Sequence, residues 1–146
     1  MIDISLIEFS KEVSQIIPYI VRSVMKKQGD VWGLDKITMP QYLLLELIEQ
    51  HGLLKMKEIA QELSISLPAA SGLVNRLFSL QMVKRIYDKK DRRVIYIELT
   101  KKGKKVTCGV RRHRKKALQD TFAKLTSKER WQYLSILRRI KDSLYP

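Results

Sequence analysis

Residues 56–83 read MKEIAQELSISLPAASGLVNRLFSLQMV, and the spacing of their apolar side chains decides the fold. Met56, Ile59, Ala60 and Leu63 fall on one side of a helix of about two turns. Ser64 and Ser66 follow as cap candidates, because a serine oxygen can accept an orphan N–H of the next helix. That helix is predicted over about 67–80, with Ala70, Leu73, Val74, Leu77 and Leu80 turned inward. Pro68 suits its first turn, where no intrahelical N–H bond is lost. Two short helices thus meet at a tight turn. The second presents outward Pro68, Ala69, Ser71, Gly72, Asn75 and Arg76, which are mostly small.

Downstream, residues 82–87 and 94–99 are short β-branched and aromatic runs separated by Asp88, Lys89, Lys90, Asp91, Arg92 and Arg93. They predict a two-stranded hairpin with a charged tip, and Ile95, Ile97 and Leu99 alternate with Val94, Tyr96 and Glu98 as one covered face requires. Thr100 caps a long basic helix over 101 to about 123, and Thr126 with Glu129 forms a capping box for a last helix carrying Trp131, Leu134, Leu137, Ile140 and Leu144. Upstream, Thr38, Pro40 and Gln41 open a helix that runs to about Gln50 and ends at His51 and Gly52. Leu6, Phe9, Val13, Ile16 and Ile20 form the seam of a long first helix, in which Pro18 predicts a kink between Ser14 and Pro18. Gly29 and Gly33 mark a connection containing Trp32.

The chain has 146 residues, 45% of them apolar, which fits one compact domain able to bury a core without disulfides or a metal. Its 29 Lys and Arg against 15 Asp and Glu leave a net charge of +14. Between Lys84 and Lys116 stand 15 basic residues against three acidic ones, Asp88, Asp91 and Glu98. Polyanions concentrate around such a segment, and nucleic acid is the first candidate partner. The apolar stretches at 16–21 and 42–45 fall far short of the roughly 20 residues of a spanning helix, so no membrane segment is expected. Asp3, Glu8 and Glu12 argue against a secretory signal. A lone cysteine, Cys108, cannot form an internal disulfide, which points to a reducing, cytoplasmic setting.

Helix, helix, turn, helix, hairpin is the order of a winged helix-turn-helix, in which the later helix of the pair enters the major groove of double-stranded DNA. A groove about 12 Å wide accepts one helix when small side chains let the backbone approach, as those on 67–80 do. The expected fold class is therefore mainly α with a small β-hairpin wing and long terminal helices.

The helix pair at 56–83, followed by RIYDKKDRRVIYIELTKKGKKV at 85–106, resembles the MarR-type transcriptional regulators (multiple antibiotic resistance regulators). The resemblance runs from about Thr38 to Val106, and its wing pattern sits at Asp91 and Arg93, followed by Leu99, Thr100 and Gly103 at the family spacing. It implies a homodimer on a pseudo-palindromic operator, usually a repressor, divided into an N-terminal dimerisation helix and connection (1–37), a DNA-binding lobe (38–100) and C-terminal dimerisation helices (101–146). It further implies that Arg93 enters the minor groove, oriented by Asp91, and that Lys89, Lys90 and Arg92 neutralise phosphates. Family members often bind anionic aromatic ligands, so Tyr19, Trp32 and Tyr42 are candidates for lining an effector cleft, with ordinary core packing as the competing reading. Two departures stand out: proline usually precedes position 68 by one, and position 72 usually carries a long polar side chain where this chain has Gly72.

Cys108 has no second cysteine, His113 lies five residues away on another helix face, and neither metal nor cofactor is expected; an inert, buried thiol is the reading for Cys108, with a thiolate favoured by neighbouring cations as the competing one. With only His51 and His113, and no glycine-rich phosphate loop, nothing marks a catalytic site, so the chain does not read as an enzyme. Arg111, Arg112, His113, Arg114, Lys115 and Lys116 cover every face of a helix, so at least one must face inward or a partner. Lys101, Lys102, Lys104 and Lys105 lie nearer the wing and are expected near DNA. Two rivals use the same charge differently: a basic RNA- or ribosome-associated module without sequence preference, and a helical interaction protein whose charge serves solubility or anionic lipid. Against the first, the chain lacks the aromatic strand motif or clamp loop of common RNA modules.

Overall fold

The computed structural model describes residues 3–27 and 37–146, and these form two compact units. One contains the N-terminal helix and the chain from Arg114 onward; the other extends to His113.

The second unit holds the core. Helix α2 (Met39–His51) starts at Thr38, whose N–H donates to Gln41 Oε1 at 3.0 Å, and buries Tyr42, Leu44, Leu45 and Ile48. Helix α3 (Met56–Glu62) buries Ile59 and Ala60, and α4 (Leu67–Ser79) buries Ala70, Val74 and Leu77, all on the faces that their spacing predicts. Val106 and Val110, on the first half of α5 (Lys101–Thr121), complete the same cluster. Each fully buried aliphatic side chain contributes on the order of 2 kcal/mol by leaving water.

The wing differs from the expected hairpin. Strands β2 (Val83–Tyr87) and β3 (Ile95–Leu99) pair antiparallel, with Lys84 opposite Glu98 and Arg85 opposite Ile97. A third strand, β1 (Leu54–Lys55), pairs with the other edge of β3, giving the order β1-β3-β2. Two residues are too few to show a period of two, so β1 exists only because β3 offers an unpaired edge. Leu54 opposite Ile97 brings two buried side chains together, while Lys55 extends its ammonium over the Tyr96 ring at 5.6 Å.

Both helices of the turn motif close in the same way. After α3, the N–H of Ser64 bonds Gln61 O and that of Ile65 bonds Ala60 O; after α4, the N–H of Gln81 bonds Phe78 O and that of Met82 bonds Leu77 O. These paired bonds make a Schellman closure, which needs a left-handed residue. Ser64 (φ 53°) and Gln81 (φ 59°) occupy that position without being glycine.

In the first unit, α1 (Leu6–Lys27) runs through Pro18, well past the last seam residue Ile20. Helix α6 (Ser127–Leu144) begins at the predicted box, with Thr126 Oγ1 accepting Glu129 N–H at 3.3 Å and Glu129 Oε2 accepting Thr126 N–H at 2.7 Å. The Thr126 amide holds the Glu129 carboxyl below its ordinary range. The seam of α6 is not covered: Trp131, Leu134, Leu137, Ile140 and Leu144 are all exposed, as are Leu6, Phe9, Ile16 and Ile17 on α1. Cys108 on α5 is exposed, which corrects the expectation of a buried thiol, because the inward positions beside it are taken by Val106, Thr107 and Val110. Gly29, Trp32 and Gly33 lie outside the described residues.

Candidate nucleic-acid interface

Helix α4 is set out for contact by its own start. Ser66 Oγ accepts the Ala69 N–H at 3.2 Å, and Pro68 occupies the first turn. Of the outward residues, Pro68, Ala69, Gly72, Asn75 and Arg76 are exposed and Ser71 is half-buried. A Cβ built on Gly72 meets no atom within 4 Å, so nothing inside the described residues requires glycine there.

Two aspartates build the wing tip. Asp88 Oδ1 accepts the backbone N–H groups of Lys90 (2.8 Å) and Asp91 (3.0 Å), an Asx turn that folds the loop onto itself. Asp91 accepts the Arg93 backbone N–H at 3.0 Å and grips the Arg93 guanidinium through both oxygens, Nε at 3.1 Å and Nη2 at 3.2 Å. These bonds, the side-chain one foremost, hold the Asp91 carboxyl below its ordinary range. The Arg93 side chain remains 91% exposed, a cation at the tip whose direction is set from one side only. Lys89, Lys90 and Arg92 are exposed around it. Lys84, by contrast, pairs with Glu98 across the strands at 3.2 Å.

Helix and wing are tied together by Arg85 of β2. Its Nη2 donates to Asn75 Oδ1 at 2.6 Å, and its guanidinium lies 4.7 Å from the centre of the Phe78 ring. Neither Arg85 nor Phe78 was legible as an interface residue, since a strand arginine ten residues from its helix partner leaves no local pattern. Asp88 had a signal, the preference for aspartate at the first position of a turn.

The basic run on α5 divides. Arg111 reaches back to α2, with Nε 3.5 Å from Glu46 Oε1 and Nη2 on Glu49, whose bond foremost raises the guanidinium above its ordinary value. Arg111 is thus a member of the 111–116 cluster that turns onto its own protein. Lys101, Lys102, Lys104 and Lys105 are exposed on the half of α5 that leaves the wing. Of the effector candidates, Tyr42 is fully buried and donates its hydroxyl to Glu46, whereas Tyr19 is exposed on α1 beneath the Arg22 guanidinium, 5.3 Å away. Trp32 lies outside the described residues. Among the described residues no cluster of His, Cys, Asp and Glu could hold a metal ion, and no helix is long and apolar enough to cross a membrane.

Comparison with known proteins places this geometry among relatives. The model of the MarR family matches residues 37–95, from just before α2 through the wing tip to the first residue of β3. The HTH-type transcriptional regulator YfiV of Bacillus subtilis, itself uncharacterised, is 34% identical over 79% of this chain and 75% of its own. The HTH-type transcriptional repressor MdtR of the same organism is 34% identical over 54% of this chain and 46% of its own. In three dimensions, a MarR family protein from Bacillus stearothermophilus superposes with a TM-score of 0.82 at 20% identity, over 98% of this chain and 100% of that one.

Proposed function

This chain belongs to the MarR family of helix-turn-helix, DNA-binding transcriptional regulators, and from that premise we propose that it is a homodimeric repressor that occupies a pseudo-palindromic operator. In this reading residues 38–100 form the DNA-binding lobe, α4 enters the major groove through Pro68, Ala69, Ser71, Gly72, Asn75 and Arg76, and the wing lies along the adjacent minor groove. Residues 1–37 and 101–146 carry the dimer contacts. The observation that supports it best is the Asp91–Arg93 pair: a bidentate carboxylate holds an otherwise exposed guanidinium at the tip of a braced loop, on the same unit as an uncovered α4. A guanidinium so placed is drawn to a narrow minor groove, where the negative potential is strongest, and so favours A·T-rich flanks without base-edge bonds. Lys89, Lys90 and Arg92 add phosphate contacts that raise affinity without reading sequence.

Two copies must set their α4 helices about 34–36 Å apart to enter successive major grooves, so a change in that spacing would release the operator. A small aromatic or anionic effector is part of the reading, on the strength of the family and not of Tyr42, whose ring is enclosed by the core. The relative MdtR is itself a transcriptional repressor, which supports repression as the direction of the effect.

In-vitro selection from a random duplex pool tests the whole reading: a two-fold symmetric consensus with A·T-rich flanks is expected. Against the selected duplex, Arg93→Ala should weaken binding by about tenfold while the protein sediments as the wild type does. Unchanged affinity in a mobility-shift titration would refute the role given to Arg93.

A further inference from the structure

Asn75 is the outward side chain of α4 whose chemistry is most constrained. A guanidinium carries donors only, so the 2.6 Å contact from Arg85 requires the amide oxygen of Asn75 to face the arginine and its NH2 to face away. The Phe78 ring beneath the guanidinium limits where Arg85 can sit. From this arrangement we infer that Arg85 is a positioning residue that sets which base Asn75 reads.

An asparagine free at both ends of its amide bonds adenine twice, accepting from N6–H and donating to N7. Asn75 has its oxygen engaged and a cation beside it. The second lone pair of that oxygen does not restore the adenine contact, because the N6 donor would approach a guanidinium that repels it. The same cation attracts acceptors, and the NH2 group needs one. Asn75 therefore favours a base edge that presents acceptors, N7 and O6 of guanine or O4 of thymine. The bond does more than brace the wing, since it converts an ambidextrous reader into a donor. This inference rests on the preceding reading of α4 as the groove-entering helix.

The test is the same duplex selection carried out with the full-length wild type, Asn75→Ala, Arg85→Met and Phe78→Leu. Methionine keeps the stem volume and removes the donors. Phe78→Leu, at a half-exposed site, loosens the guanidinium without touching Asn75, and serves should Arg85→Met unfold. The position whose preference Asn75→Ala abolishes should favour guanine or thymine over adenine by about fivefold or more in the wild type. In Arg85→Met adenine should rise there to at least parity, and Phe78→Leu should move the same way by less. A wild-type preference for adenine, or variants that bind more weakly with every base preference intact, would overturn the inference. If Asn75→Ala alters no position, Asn75 reads no base and the inference falls, while the operator assignment stands on its consensus. If the wild type selects no consensus, the operator reading itself fails and carries this one with it.

Discussion

Gly103 admits no side chain. A Cβ built there would stand 2.0 Å from Met82 O, because α5 starts against the bend between α4 and β2. Thr100 makes that junction: its N–H donates to Met82 O at 3.0 Å, its hydroxyl donates to Gln81 O at 2.6 Å, and Oγ1 accepts the Gly103 N–H at 3.0 Å. Gly103→Ala should therefore cost about 3 kcal/mol, read as a lower midpoint in urea unfolding, since the clash is with backbone and cannot be relieved by a rotamer. Gly72 is the opposite case. Open space around its absent Cβ means that Gly72→Ala should stabilise the free protein by up to about 1 kcal/mol, through helix propensity alone. If the groove approaches the backbone there, the same variant melts higher and binds the selected duplex more weakly; a variant that melts higher and binds as before would remove the close approach. The two glycines look alike in sequence, and only their neighbours distinguish them.

At the scale of elements, the helix pair follows from apolar spacing, and the start of α4 follows from Ser66 placed before it. What the pattern does not carry is the closure of each helix by a left-handed residue that is not glycine. Gln81 holds φ at 59°, and Gly there would relieve the contact between Cβ and the carbonyl. Gln81→Gly should raise stability by about 0.5–1 kcal/mol, the relief being partly offset by the larger unfolded-state entropy of glycine. A thermal melt measures it, and a lower midpoint would mean that the Gln81 side chain contributes more than the strain it causes. Strand β1 is the other element that escaped the sequence reading. Its two residues carry no periodicity, and their conformation is dictated by the edge of β3.

For the whole molecule, the +14 charge is concentrated between Lys84 and Lys116, and the fold sorts that charge into two kinds. Lys84 and Arg111 pair with Glu98, Glu46 and Glu49, while Lys89 and Lys90 are exposed at a tip braced by Asp88 and Asp91. Replacing Lys89 and Lys90 with Ala should weaken specific and random duplex alike and flatten the dependence of log K on log salt by about 0.9 for each lysine. A loss confined to the specific duplex would contradict a phosphate-contacting role. The exposed apolar residues of α1 and α6 belong to the same scale, for a single copy leaves Trp131, Leu134, Leu137 and Ile140 in water. Surfaces of that kind are expected where chains associate.

Amino-acid order alone determined the helix-turn-helix and the two-stranded hairpin of its wing, because periodicity, caps and turn residues act between neighbours and leave their mark in the order of side chains. It also determined where cations are dense and that Asp91 and Arg93 stand together at the tip. Tertiary structure alone decided that Arg85 holds Asn75 by its oxygen, that Arg111 is engaged by α2, that Cys108 is exposed and that Gly103 lies against Met82. The Arg85, Arg111 and Gly103 contacts join groups from different elements, and whether Cys108 meets water depends on which face of α5 is covered. Such distances are set by how the elements pack, and no local spacing encodes them.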